Sequence, residues 1–156
     1  MRAPAPREFV VLLLQPELDD RTMYLEFFHH EGIATLCPKD AVDALSLATK
    51  ADVIVTGILL PGQIDGLEFI AKLRADGRTA HIPVVVLTAC AWITERRRVE
   101  ESGCDLFLSK PCFPADLLQH LRRVLQVADT RSHGVKRETQ NKEAAPIRNW
   151  TEHRSG

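Results

Sequence analysis

Between Phe9 and Val127 the chain alternates two hydrophobic periods, and this alternation restricts the fold more than any other feature. Short β-prone runs recur as "FVVLLL" (9–14), "IATL" (33–36), "VIVT" (53–56), "IPVVVLT" (82–88) and "DLFLS" (105–109). Several are apolar throughout, as strands covered on both faces must be; a strand with one wet face would alternate. The segments between them carry apolar residues at helical spacing. Met23, Tyr24, Phe27 and Phe28 form one stripe, and Ala41, Ala44, Leu45 and Ala48 a second. Leu67, Ile70 and Leu73 form a third, and Leu117, Leu118, Leu121, Val124 and Leu125 the last. "WITERRRVEES" (92–102) has no continuous stripe and is read as a helix from its place in the alternation. Gly32, Gly77 and Gly103 are expected to end helices, and Pro114 with Asp116 to open the last one. Strand and helix in strict turn predict a parallel sheet with right-handed crossovers, a doubly wound α/β domain over residues 8–127.

From Ala128 to Gly156 the pattern dissolves. Few aliphatics and a single Trp150 cannot bury enough to offset the entropy of ordering the backbone, so residues 128–156 are expected to be a flexible tail. The formal charge of -1 supplies no field to steer nucleic acid or an anionic membrane, and neither is expected as a partner. Cys37, Cys90, Cys104 and Cys112 show neither C-x-x-C nor metal-ligand spacing with histidine; buried, reduced thiols are expected. No apolar run approaches membrane-spanning length, and "MRAPAPREF" does not read as a leader, so a cytoplasmic location is expected. No Gly-rich phosphate loop or Ser-His-Asp set occurs, and no cofactor is expected.

Ligands of such sheets bind beyond the carboxyl ends of the strands, where the winding reverses. The loops that matter therefore follow Leu14, Thr56, Leu87 and Leu108. The second reads "LLPGQIDGLEFI", the third "LTA" and the fourth "SKP". Together with "PVVVLTA" and "SGCD", and with the strand and helix spacing, these resemble the receiver domain of two-component response regulators over nearly all of residues 9–127. The resemblance implies a (βα)5 flavodoxin-like three-layer sandwich, related to the chemotaxis regulators, with parallel strand order 2-1-3-4-5. It also implies signal transduction in place of metabolic catalysis.

In that family an Asp at the end of the third strand takes the phosphoryl group, two acids after the first strand hold Mg²⁺, and a hydroxyl and a lysine bind the phosphoryl oxygens. Carried over, the hydroxyl falls on Thr88 and the lysine on Lys110, with a cis Lys110–Pro111 peptide implied. The acceptor position, five residues after Asp52 and four before Pro61, is Gly57, and the acidic pair falls on Gln15 and Pro16. A glycine has no atom to attack phosphorus, and an amide and a proline offer no anionic oxygen to Mg²⁺; no catalytic residue and no metal are expected. Lys110 then becomes a lone cation, either solvated or paired with Glu17. Thr56 should point to the opposite face from Gly57. Asp19 and Asp20 are expected to cap the first helix and complement its dipole, and Asp65 to cap the third.

The family's switch aromatic corresponds to Phe107, expected to be packed inward because it lacks a hydroxyl to carry to water. Trp92 reads either as an exposed partner anchor or as a ring folded over its loop, and Arg96 and Arg97 as a helix face self-paired with Glu100 and Glu101. His29 and His30 suit the last turn of the first helix. The combined reading is a degenerate receiver acting by protein contact. The expected partner is a histidine kinase, another receiver or an output protein, and a homodimer through the fourth helix, fifth strand and fifth helix is possible geometry. The competing reading is a phosphoryl-accepting regulator that uses a displaced acid.

Overall fold

A computed structural model describes residues 8–89 and 93–133, excepting the side chains of 93–96 and 131–133. In chain order the elements are β1 (Val10–Leu14), α1 (Leu18–His30), β2 (Ala34–Leu36), α2 (Ala41–Leu47), β3 (Val53–Thr56), α3 (Gly66–Ala75), β4 (Val84–Thr88), α4 (Ile93–Ser102), β5 (Leu106–Ser109) and α5 (Pro114–His133), with a short 3-10 turn at Ala48–Lys50 after α2. The strands form one parallel sheet in the order β2-β1-β3-β4-β5. Leu14 pairs with Thr56, and Thr88 with Ser109, so the carboxyl ends of these strands finish at one edge of the sheet.

Alternation within each strand divides the core into two layers, because successive side chains point to opposite faces. Leu12, Leu14, Ile54, Val84, Val86 and Phe107 pack against Ala44, Phe69, Ile70, Leu73 and Val99 of α2, α3 and α4. Val11, Leu13, Val55, Val85, Leu87 and Leu108 pack against Tyr24, Phe28, Leu117 and Leu121 of α1 and α5. This double cover explains the unbroken apolar runs. Of the first stripe, Tyr24 and Phe28 are buried, while Met23 lies at the exposed margin.

Local signals account for most boundaries. Asp65 caps α3 in a reciprocal capping box with Glu68. Gly32 and Gly103 leave α1 and α4 at φ +79° and +97°, a region that penalises any Cβ. Gly77 departs from expectation, since it does not have positive φ. Instead α3 ends on extended Asp76, and the Thr79 hydroxyl donates to Leu73 O at 2.8 Å, closing the last turn from downstream. The expected boundary at Val127 also shifts, because α5 runs on to His133. Once a long amphipathic helix is nucleated, each further residue adds a backbone bond at little cost. The rest of the expected tail, residues 134–156, lies outside the described residues, as do Cys90 and Trp92 and the side chain of Arg96. Cys112 is buried and Cys104 partly so; Cys37, just past edge strand β2, is exposed, contrary to expectation.

Candidate functional site

The flush strand ends open into a crevice of about 470 Å³ lined by Pro16, Asp20, Gly57, Leu87, Thr88 and Lys110, with Glu17 and Asp19 at its acidic side. Gly57 lines it directly after β3, its N–H donating to Leu14 O at 3.0 Å. A Cβ built there would lie 3.3 Å from Pro16 Cδ and 3.8 Å from Leu87 O, so the position is snug without being closed to a side chain. Gly66 is tighter. Its N–H donates to Ile58 O at 2.7 Å, and any Cβ would overlap the Gly57 carbonyl. The start of α3 thus rests directly on the backbone of the crevice floor.

Gln15 leaves β1 and is 2 % exposed. Its Nε2 donates to Leu14 O at 3.5 Å and to Leu87 O at 3.4 Å. Since β3 lies between β1 and β4, this amide spans the end of the strand that carries Gly57, reaching the same Leu87 oxygen that a Cβ on residue 57 would approach. Gln15 Oε1 is buried with no hydrogen-bond partner among the described residues. Its backbone oxygen accepts from Arg21 at 3.1 Å.

Lys110 is neither solvated nor paired with Glu17: its Nζ meets Asp20 Oδ2 at 2.6 Å. Asp20 stands in the first turn of α1, where side chains lean toward the helix N-terminus and so toward the crevice, whereas Glu17 is the extended N-cap residue. The capping role expected of Asp19 and Asp20 reduces to dipole complement, as no side chain caps α1. One turn beyond Asp20, the Tyr24 hydroxyl donates to Cys112 O at 2.6 Å. Burial raises the Tyr24 pKa well above the phenol range, keeping it a donor.

Thr88 lies at the crevice, and its carbonyl accepts from Lys110 N at 2.9 Å. Lys110–Pro111 is cis. Phe107 is fully buried, as a ring without a polar handle should be. The Thr56 hydroxyl bonds Gly57 O at 2.9 Å and does not line the crevice. Arg97 is exposed, and its neighbour Arg98 reaches Asp65 at 3.9 Å. His29 and His30 are exposed at the end of α1. No group of three or more His, Cys, Asp or Glu placed to hold a metal occurs among the described residues, and no helix among them is long and apolar enough to cross a membrane.

Sequence reasoning missed the roles of Asp20 and Arg74. Arg74 of α3 donates to the carbonyls of Gly103, Ala80 and Ile82 and to Asp105 Oδ2 at 2.7–3.1 Å, tying α3 to the loops before β4 and before β5 at the opposite end of the sheet. The Asp20–Lys110 and Arg74–Asp105 contacts join residues 90 and 31 apart in the chain, and no local pattern announces them.

A crevice at the carboxyl edge of a 2-1-3-4-5 sheet, with a threonine ending β4 and a cis Lys-Pro after β5, defines the response regulator receiver class. The family model described as "Response regulator receiver domain" matches residues 11–122, and the chain belongs to this family. Among relatives, it is 42% identical over 72 residues to Response regulator Rre1 of Synechocystis sp., covering 46% of this chain and 31% of that one. It is 29% identical over 103 residues to the polar-differentiation response regulator DivK of Brucella anthropi, covering 65% of this chain and 83% of DivK. The chain thus spans under a third of the first relative and most of the second. Among solved structures, chemotaxis response regulator CheY4 of Vibrio cholerae superposes with TM-score 0.67 at 26% identity, over 74% of this chain and 98% of that one. The receiver domain of sensor histidine kinase PA1611 from Pseudomonas aeruginosa, with a magnesium ion in its active site cleft, matches with TM-score 0.69 at 24% identity over 76% of this chain and 98% of that one, a likeness of fold.

Proposed function

We propose that this receiver domain transmits its signal by protein contact, without accepting a phosphoryl group. The observation that carries the reading is Gly57 at the end of β3, where a receiver needs a carboxylate nucleophile. The donor set around it does not suit Mg²⁺: Gln15 and Pro16 stand at the metal-pair positions, and the carboxylate nearest Lys110 is engaged by it at 2.6 Å. Phe107, buried without a hydroxyl, suits a domain whose output face does not switch. The partner we assign is a histidine kinase, a second receiver or an output protein. It would dock on the α4–β5–α5 side, where Arg97 is exposed and where Trp92 and Arg96 belong by sequence; a homodimer would use the same side.

Glu17, Asp19 and Asp20 at the crevice favour one rival, a displaced carboxylate as acceptor. Incubation with acetyl phosphate and Mg²⁺, followed by intact-mass measurement, separates the two. The expected result is no added phosphate, and no spectral change with beryllofluoride and Mg²⁺. A Mg²⁺-dependent phosphate on any of the three acids would establish the rival and end the contact-only reading.

A further inference from the structure

Asp20 and Tyr24 are four residues apart on α1, hence neighbours on one helix face. Both reach the same short segment after β5. Asp20 takes Lys110 at 2.6 Å, and Tyr24 takes the Cys112 carbonyl at 2.6 Å. The ion pair is largely shielded, with side-chain exposures of 17% and 33%, and the phenol is buried. The segment they hold leads directly into α5, whose first turn closes through Leu117 N to Phe113 O at 2.9 Å. On the two joined pieces stand two of the most exposed large apolar side chains described, Leu18 at 62% and Phe113 at 71%. Leu18 and Pro114 line one groove between α1 and the start of α5.

We infer that Asp20 and Tyr24 form a two-point staple that fixes residues 110–114 to α1 and so sets the placement of Leu18 and Phe113. The chemistry is self-contained. Lys110 has an internal counter-ion on α1, the helix that packs beside α5 on the same face of the sheet. A charge-assisted bond in a partly shielded site resists water better than an exposed pair does. The buried phenol adds a second point that screening by salt cannot weaken. Asp20 and Tyr24 are therefore positioning residues, and Lys110 serves as a strut. The inference rests on the contact-only reading in one respect: Lys110 has no phosphoryl group to attend.

Amide hydrogen exchange of the full chain tests it. Asp20→Asn and Tyr24→Phe should each speed exchange at residues 112–117 by about tenfold, while amides of β1, β3 and β4 keep their wild-type rates. The double variant should fall short of the product of the two effects, since either break frees the same segment. Asp20→Glu, which keeps the charge, should restore slow exchange, and Asp20→Asn should respond least to added salt. Unchanged exchange at 112–117 in Asp20→Asn would overturn the staple, as would acceleration spread equally over the central strands. Neither result bears on phosphate acceptance, which the mass measurement decides separately.

Discussion

Replacing Gly66 by Ala puts one methyl group where the structure has least room for it. In an isolated helix the change would help, since alanine is favoured over glycine by about 0.5–1 kcal/mol. Here the new Cβ would overlap Gly57 O and lie 2.8 Å from Ile58 Cα and 3.0 Å from Gly57 C, all of it backbone that cannot rotate away. To relieve the overlap, the start of α3 must lift from the crevice floor. That lengthens the Gly66 N–H to Ile58 O bond, worth about 1 kcal/mol, and disturbs the Asp65–Glu68 capping box, worth about another. Residual crowding adds roughly 1–3 kcal/mol. After the propensity gain, the expected net loss is about 2–4 kcal/mol, read as a lowered urea midpoint at unchanged slope. Gly77→Ala is the control: nothing lies within 4 Å of its Cβ and its φ is not positive, so stability should hold or rise by a few tenths of a kcal/mol. Equal midpoints for Gly66→Ala and wild type would refute the packing of α3 on Gly57.

Three further outcomes are expected. Gly57→Asp alone should remain unphosphorylated by acetyl phosphate, because Gln15 spans the site and Asp20 holds Lys110; a mass shift in that variant would reveal Mg²⁺ ligands elsewhere. Arg74→Ala removes the side chain bonded to Gly103, Ala80, Ile82 and Asp105, and should cost about 2–4 kcal/mol in urea unfolding, a loss under 1 kcal/mol counting against its role. Hydrogen bonds from the Arg78 guanidinium and backbone N–H hold the Asp76 carboxyl down at about 2. A folded value below the unfolded one stabilises above the usual carboxylate range and is lost as pH falls toward about 2; in Arg78→Ala the NMR titration of Asp76 should move up toward 3.8 without reaching it, because the residue-78 N–H still donates to Asp76, and an unmoved titration would refute the side-chain pairing.

Much of this molecule is legible in one dimension because its periods are local. Continuous apolar runs announce strands covered twice, stripes at helical spacing announce the covering helices, and the strict turn of one with the other leaves a parallel doubly wound sheet as the consistent packing. The absence of a carboxylate at residues 15, 16 and 57 is equally a property of the sequence, since no folding supplies a side chain that is not encoded. Asp65 as the α3 cap was visible for the same reason, its partner Glu68 lying three residues away. By contrast, the partner of Lys110 was decided only in three dimensions. Glu17 and Asp20 are three residues apart with the same charge, and the choice between them depends on which stands inside the first turn of α1 and which remains extended before it. Likewise Tyr24 meets Cys112 across 88 residues, and Gly66 owes its necessity to the carbonyl of Gly57. The chain writes its elements and its missing acids residue by residue. The counter-ion, the staple and the close backbone approach arise where the sheet brings distant segments within hydrogen-bond reach.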